Sequence, residues 1–167
     1  MKKSIMLASL LAVGLAFSGG VNATTATSSL NISASVITDC TVSTTGINFG
    51  NISLGQHVYA NGDVTVNCAD VTPYNIALDA GLHLIAGARY LESANGGAIL
   101  YKLSAVSDFT TAWGDSDFAG TFLNGASLAD TSDGSDQPHT VYGNAIRGGT
   151  IQPVGEYSDT VIVTVYY

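Results

Sequence analysis

Short apolar runs with a period of two residues are the feature of this sequence that most restricts its fold. From Leu30 onward the runs are rich in Val, Ile, Thr and Tyr, and clusters of Gly, Asn, Asp and Ser separate them. None of the runs keeps an apolar period of 3.6 over about ten residues, so the pattern gives helices little support. The sequence therefore predicts an all-β chain that folds as a sandwich or a barrel.

Six runs are the clearest predicted strands. They cover residues 30–37, 63–68, 74–78, 98–106, 140–146 and 159–167. Turn signals separate the runs, at Asn61-Gly62, Asn95-Gly96-Gly97, Asp133-Gly134 and Gly148-Gly149. Since side chains alternate between the two faces of a strand, Val64, Val66 and Cys68 should share one face. The last run is apolar on both faces, which predicts a central or covered strand rather than a solvated edge.

The first residues have the three-part layout of a secretory signal peptide. Lys2 and Lys3 precede an apolar stretch over residues 5–17, and small residues follow up to Ala23. We therefore expect residues 1–23 to be removed, which leaves an exported chain of about 144 residues and one domain. The apolar stretch is too short to span a bilayer comfortably, and no later segment approaches the roughly eighteen uninterrupted apolar residues that a transmembrane helix needs. We therefore expect no membrane insertion after cleavage.

The exported chain is strongly acidic. Without Lys2 and Lys3 its cations are Arg89, Lys102 and Arg147, and the formal net charge moves from -8 to about -10. A surface with so few cations does not bind nucleic acid by neutralising phosphates, and it does not favour anionic membranes. We attribute the acidity to the solubility of an exported protein, and we expect no nucleic-acid partner.

Two cysteines remain after cleavage, Cys40 and Cys68. An even count in an exported protein predicts one disulfide rather than a metal site or a nucleophile. A bond that closes a loop of about 28 residues would stabilise the fold by roughly 3.5 kcal/mol in the chain-entropy model. We expect this bond to serve folding and not chemistry.

No motif in the sequence predicts an enzyme or a cofactor site. His57, His83 and His139 are scattered without the spacing to Ser or carboxylates that a catalytic triad suggests, so we expect surface or turn positions for them. Residues 130–136 are similar to a calcium loop, but Gly134 stands where the fifth ligand should be and no Glu closes the site. We interpret that run as a solvated turn, and we expect no catalytic residue, metal or other cofactor.

The N-terminal segment has two interpretations. Leu30, Ile32, Ala34 and Val36 alternate with small polar residues, and a polar run over residues 24–29 precedes them. The pattern is typical of a first strand in a closed sandwich. It also fits a detachable strand with a flexible lead that completes the sheet of another molecule, but from the pattern alone we favour the closed sandwich.

A series of short landmarks runs in order through the chain. They are Cys40-Thr41-Val42, Asn48-Phe49-Gly50, residues 64–68 (VTVNC), residues 74–78 (YNIAL) with Gly81, Arg89, Leu100-Tyr101, Trp113-Gly114, Tyr142-Gly143 and residues 155–161 (GEYSDTV) before a terminal Tyr. Together they resemble the spore coat protein U domain family, whose members are the subunits of archaic (Csu-type) chaperone-usher pili. The similarity covers essentially the whole exported chain.

The resemblance implies an incomplete immunoglobulin-like β-sandwich (pilin fold) that lacks its final strand and carries an N-terminal donor-strand extension. It divides the chain into a signal peptide at residues 1–23, the extension at 24–36 and a spore coat U domain at 37–167. The inserting side chains would be Leu30, Ile32 and Ala34. Val36 would be the last of them or would belong to the subunit's own first strand.

The function that the resemblance implies is structural and not enzymatic. The chain would be a subunit of a secreted pilus that polymerises by donor-strand complementation and supports surface adhesion and biofilm formation. Its partners would be identical or related subunits, a periplasmic chaperone and an outer-membrane usher. The chain would be exported through the periplasm and would function in a pilus at the cell surface.

Two alternatives stay open at this stage. One is a monomeric secreted carbohydrate-binding sandwich that residues 30–36 close on itself; the other is a protective coat protein of a dormant cell. Trp113 beside Asp115 and Asp117 is a candidate sugar-binding edge, in which the indole would stack on a sugar and the carboxylates would accept its hydroxyls. Because this single Trp stands at a landmark, we favour core packing for it.

Overall fold

The computed structural model describes residues 25–167, in which β-strands alternate with turns and irregular loops. The strands are β1 (Cys40–Thr44), β2 (His57–Cys68), β3 (Pro73–Leu78), β4 (Leu84–Ile85), β5 (Ala88–Glu92), β6 (Ala98–Ser104), β7 (Leu128–Thr131), β8 (Gln137–Ile146) and β9 (Val163–Tyr166), and a 3₁₀ helix covers Ser116–Phe118. The expected signal peptide, residues 1–23, lies outside the described residues. No helix within residues 25–167 has the length and apolar character that crossing a membrane requires.

The strands form two antiparallel sheets. The larger sheet has the order β1-β2-β8-β6-β5-β4, and the smaller sheet has the order β7-β3-β9. Their inner faces share one core, in which Val66 of β2 and Ile76 of β3 are completely buried. The predicted all-β sandwich is confirmed. Both sheets belong to a unit that spans Val36–Tyr167, while the described part of the other unit, residues 25–35, carries no helix or strand.

Alternation of apolar and polar residues explains the larger sheet. Along β2, Val64, Val66 and Cys68 are buried, and Thr65 and Asn67 between them are half-buried on the outer face. The shared face that the sequence predicts for the first three residues is therefore confirmed.

The predicted disulfide between Cys40 and Cys68 is present. These residues are directly opposite each other in the β1–β2 ladder. Because β1 is an edge strand of the larger sheet, the bond ties that edge to β2 and fixes where the following segment begins.

Two predictions about strands are wrong for the chain by itself. Residues 25–39 contain no strand, although the alternation predicted one over residues 30–37. Alternation assigns the faces of a strand, but a strand forms only where a neighbouring backbone pairs with it. The last strand is also not central, because β9 lies at an edge of the smaller sheet.

The predicted turn at Asn61-Gly62 is wrong for a different reason. Both residues lie inside the twelve-residue strand β2 and pair with Tyr142 and Val141 of β8. A Cβ atom on Gly62 would lie 2.5 Å from the carbonyl oxygen of Thr45 and 2.9 Å from Cγ1 of Ile47. Gly62 therefore allows a second segment of backbone to pass directly over the strand.

We predict that Gly62→Ala destabilises the fold, because the added methyl group would overlap the Thr45 carbonyl and push the 45–47 segment away. Overpacking of this kind costs typically about 1–3 kcal/mol. Gly46→Ala is the matched control, since nothing lies within 4 Å of a Cβ atom there. Urea unfolding of both variants should show a lower midpoint for Gly62→Ala alone. Equal midpoints would contradict the close approach.

Candidate functional site

The open edge of β9 forms one wall of a groove. β9 pairs with β3 through Val163↔Leu78 and Val165↔Ile76. In the described part of the chain, no strand pairs with its other edge. Val161, Val163 and Val165 point toward the core but are only half-buried. An apolar strand that is paired on one side is thus left open on the other.

The segment that follows β1 forms the opposite wall. The backbone N–H of Thr45 donates to the carbonyl of Asp63 (2.8 Å). Beyond this bond the chain leaves the ladder and crosses the inner face of the larger sheet. There Ile47 lies against Gly62, and Phe49 lies against Gly143 of β8. Within residues 25–167, no strand includes or pairs with residues 46–52.

The floor of the groove between these walls is apolar. A cavity of about 280 Å³ is bounded by residues 44–49 on one side and by residues 159–163 on the other. Its floor is made by core side chains of the larger sheet, namely Val64, Leu91, Tyr101, Leu103 and Val141. We call this space the apolar cavity.

A second cavity of about 400 Å³ continues the groove between residues 47–52 and residues 153–159. It is more polar, with Arg147 and Glu156 among its lining residues. The guanidinium of Arg147 donates from Nη1 to the carbonyl of Ile52 (2.8 Å), which holds the wall to the end of β8. We call this space the polar cavity.

The groove has the chemistry of a site that lacks a strand. Two backbone segments with free hydrogen-bonding groups face each other across an apolar floor, and the floor belongs to the core of the sandwich. An extended peptide placed there would hydrogen-bond to a wall and bury alternate side chains in the floor. The arrangement is suited to accepting a strand.

Asp159 fixes the start of the last segment at the junction of the two cavities. Its carboxylate accepts hydrogen bonds from the backbone N–H of Leu82 (2.9 Å) and from the hydroxyl of Tyr101. Burial raises the pKa of Tyr101 well above its ordinary value, and the hydrogen bond to Asp159 raises it further. The landmark residues Tyr101 and Asp159 thus join the floor of the groove to its wall.

Arg89 and Trp113 support β3 behind the groove. Arg89 is buried, and its guanidinium donates to the carbonyls of Leu78 (2.8 Å), Asp79 and Trp113 (2.8 Å) while lying 3.8 Å from the centre of the Phe122 ring. Burial lowers the pKa of Arg89, although neighbouring carboxylates oppose the shift. The indole of Trp113 donates to the carbonyl of Ile76 (2.8 Å).

The candidate sugar-binding edge does not form. Trp113 is 2% exposed and belongs to the core. Asp115 is buried and accepts the backbone N–H groups of Thr121 and Phe122, and Asp117 accepts both the N–H and the hydroxyl of Ser127. Core packing of Trp113 is therefore confirmed, and the two carboxylates cap turns of their own chain.

The three histidines lie in different surroundings. His57 is exposed. The fold brings His83 between two carboxylates, with Nδ1 3.1 Å from Asp159 and Nε2 3.6 Å from Glu92, an arrangement that the sequence spacing did not suggest. His139 contacts the hydroxyl of Tyr74 (2.8 Å). His83 and His139 are thus partly buried within polar networks rather than free on the surface.

The acidic run over residues 130–136 spans the end of β7 and the turn before β8, as the turn interpretation expected. In that turn Asp133 accepts the N–H and the hydroxyl of Ser135. Within residues 25–167, no group of three or more His, Cys, Asp or Glu side chains is placed to hold a metal ion.

The side chains predicted to insert into a partner belong to no strand and are exposed. Leu30, Ile32 and Val36 are 83%, 87% and 85% exposed, and Ala34 is exposed as well. Exposed apolar residues with a strict period of two have no packing role in this chain alone. The insertion role of these residues remains a prediction. Sequence reasoning missed the wall at residues 45–52, for which Asn48-Phe49-Gly50 was the available signal.

Two sequence comparisons match nearly the whole chain. The model of the Spore Coat Protein U domain family matches residues 26–164. Protein U of Myxococcus xanthus is 28% identical in an alignment that is 183 residues long with its gaps. The alignment covers 99% of this chain and 98% of Protein U. This agreement along the whole length matches the resemblance that the landmarks indicated.

A solved structure supports the fold. It is the crystal structure of the CsuC-CsuE chaperone-tip adhesion subunit pre-assembly complex from archaic chaperone-usher Csu pili of Acinetobacter baumannii. One of its chains superposes with a TM-score of 0.56 and 21% sequence identity over 79% of the present chain. The present chain corresponds to 40% of that chain's length. The predicted incomplete immunoglobulin-like sandwich of the pilin type is confirmed.

We predict that, at high pH, the free energy of unfolding falls less steeply with rising pH in Tyr101→Phe than in the parent. Because the folded-state pKa of Tyr101 is raised, the unfolded chain loses this proton above about pH 10 while the folded chain keeps it. The unfolded state then binds fewer protons, so the free energy of unfolding falls as the pH rises. Urea unfolding between about pH 9 and pH 11 should show a shallower fall in Tyr101→Phe.

Tyr167→Phe is the control for this measurement, because Tyr167 is exposed and at the end of the chain. It should follow the parent curve. An unchanged slope in Tyr101→Phe would contradict the buried, hydrogen-bonded state of the phenol.

Proposed function

Because this chain belongs to the Spore Coat Protein U domain family, we propose that it is a non-enzymatic structural subunit of a chaperone-usher pilus that polymerises by donor-strand complementation. The groove of one subunit accepts the N-terminal strand of the next, and the repeat of this contact builds the fibre. The fibre supports attachment to surfaces and biofilm growth.

The observation that carries this proposal is the coexistence of an unfilled groove and an unused strand in one chain. The groove lacks a strand between residues 45–52 and β9. Residues 30–36 have the period-two pattern of a strand, and the large apolar side chains among them, Leu30, Ile32 and Val36, are exposed. Each feature supplies what the other lacks.

The energy of the contact comes from two sources. Burying Leu30 and Ile32 would stabilise the complex by roughly 1.5–3 kcal/mol for each side chain. The backbone of the inserted strand would satisfy the open edge of β9, which otherwise remains exposed to other strands. Dissociation would have to break these contacts together along the strand, so the fibre should persist for long times.

The same groove explains why we propose a periplasmic chaperone as partner. An open apolar groove beside an unpaired strand is prone to aggregation until it is filled. A chaperone that covers it before assembly removes this hazard, and the related solved structure is a chaperone-subunit pre-assembly complex. An outer-membrane usher would then exchange the chaperone for the next subunit.

Export follows from the predicted signal peptide at residues 1–23. Cleavage would release residues 24–36 as a free donor-strand extension ahead of the domain at residues 37–167. The proposed location is therefore the periplasm during assembly and the cell-surface pilus afterwards.

We predict that Leu30→Asp/Ile32→Asp abolishes the fibre, because buried unpaired carboxylates cannot be accommodated on an apolar floor. The precursor is expressed with a matching chaperone and usher, and unboiled surface extracts are run on a denaturing gel. The parent should give a ladder of detergent-resistant multimers. The variant should give none, while its chaperone-bound form persists.

Asn31→Asp/Ser33→Asp is the matched control. It adds the same two charges to the same segment, on the face that points away from the floor, and it should keep the ladder. A parent that runs only as a stable monomer would count against polymerisation. A ladder that survives the Leu30/Ile32 change would exclude this segment as the donor.

A protective coat is a second candidate, which the description of the family itself favours. It uses the same assembly chemistry, so the gel does not separate the two roles. Electron microscopy of labelled cells does, since a pilus subunit lies in thin surface fibres and a coat protein in a continuous layer.

A further inference from the structure

Phe49 lies where the two cavities of the groove meet. Ile47, Phe49, Leu91 and Asp159 line both the apolar and the polar cavity, so these residues mark the junction. A Cβ atom on Gly143 would lie 2.9 Å from Cζ and 3.0 Å from Cε1 of the Phe49 ring. The ring therefore rests directly on the backbone of β8 and occupies floor space that a strand in the groove would otherwise fill.

The N-terminal segment shows a matching order of side-chain sizes. Leu30 and Ile32 are large, Ala34 is small and Val36 is intermediate. Because successive inward side chains on a strand are two residues apart, four of them span about 20 Å. The groove offers, in the same order, an apolar cavity, a raised floor at Phe49 and a second cavity.

We propose that the groove accepts residues 30–36 of a second copy of this chain in one register, with Ala34 placed over Phe49. Leu30 and Ile32 then fill the apolar cavity, and Val36 enters the polar cavity. This inference rests on the proposed function and adds the register, the direction and the identity of the donor.

The direction follows from the positions of the cavities. The apolar cavity lies along Val161 and Val163, and the polar cavity lies along residues 153–158. A strand that runs from Leu30 to Val36 therefore passes first Val163 and then Ser158. It is antiparallel to β9, the orientation in which an antiparallel sheet continues.

Other registers fit less well. A shift of two residues in one direction places the branched side chain of Ile32 over the Phe49 ring, and a shift in the other direction places Val36 there. Either shift forces a large group onto a raised floor. It also moves Ala34 into one of the cavities, where it leaves space unfilled. Phe49 thus acts as a specificity-determining residue that selects a donor with a small third side chain.

The test is a size exchange between donor and acceptor in the full chain, expressed with a matching chaperone and usher. Ala34→Leu should remove the detergent-resistant ladder. Phe49→Ala should keep a ladder that dissociates at a lower temperature, because it leaves space above Gly143. The double variant Ala34→Leu/Phe49→Ala should regain a ladder. Ile32→Leu is the control and should match the parent, because it conserves volume inside the apolar cavity.

A second pair of smaller substitutions serves if the acceptor variant does not fold. If Phe49→Ala does not accumulate as a chaperone-bound subunit, Phe49→Leu with Ala34→Val carries the same comparison. A ladder in Ala34→Leu equal to that of the parent would overturn the register. So would a double variant that accumulates with its chaperone but polymerises no better than Ala34→Leu. A parent without any ladder would refute the proposed function as well, and this outcome separates the two failures.

Discussion

The unpaired edge of β9 is the constraint on which the rest of this structure depends. Val161, Val163 and Val165 face the core, but no strand of the described chain covers them from the groove side. A sandwich in this state has free backbone donors and acceptors next to apolar side chains, and both require a partner. The fold of the described chain is thus incomplete by one strand.

The buried polar residues of the chain keep this open groove in shape. Arg89 binds the carbonyls at the end of β3, and Trp113 binds the carbonyl of Ile76. Asp159 joins the start of the last segment to Tyr101 and Leu82. On the other wall, the Cys40–Cys68 bond ties β1 to β2 just before the chain crosses the inner face. A groove whose walls are fixed in advance loses less conformational entropy when a strand binds.

The landmarks of the family therefore have structural rather than chemical roles. Gly143 makes room for Phe49, and Gly62 makes room for the segment that carries it. Asp159 and Tyr101 meet where the apolar and polar cavities join. These residues shape the floor and the walls of the open groove. In the proposed fibre, residues 30–36 of a neighbouring subunit pack against this surface. In the single chain the same residues are exposed.

The sequence by itself determined the all-β class, the buried face of β2, the disulfide and the approximate spans of β3, β6 and β8. These features depend on local alternation and on the cysteine count in an exported chain. It also indicated residues 30–36 as a strand-like segment. It could not decide that β9 is an edge, that Asn61-Gly62 continues a strand, or that Phe49 lies on Gly143. A period of two residues assigns faces but names no neighbours, and which backbones pair or pass closely is decided only when the sheets assemble.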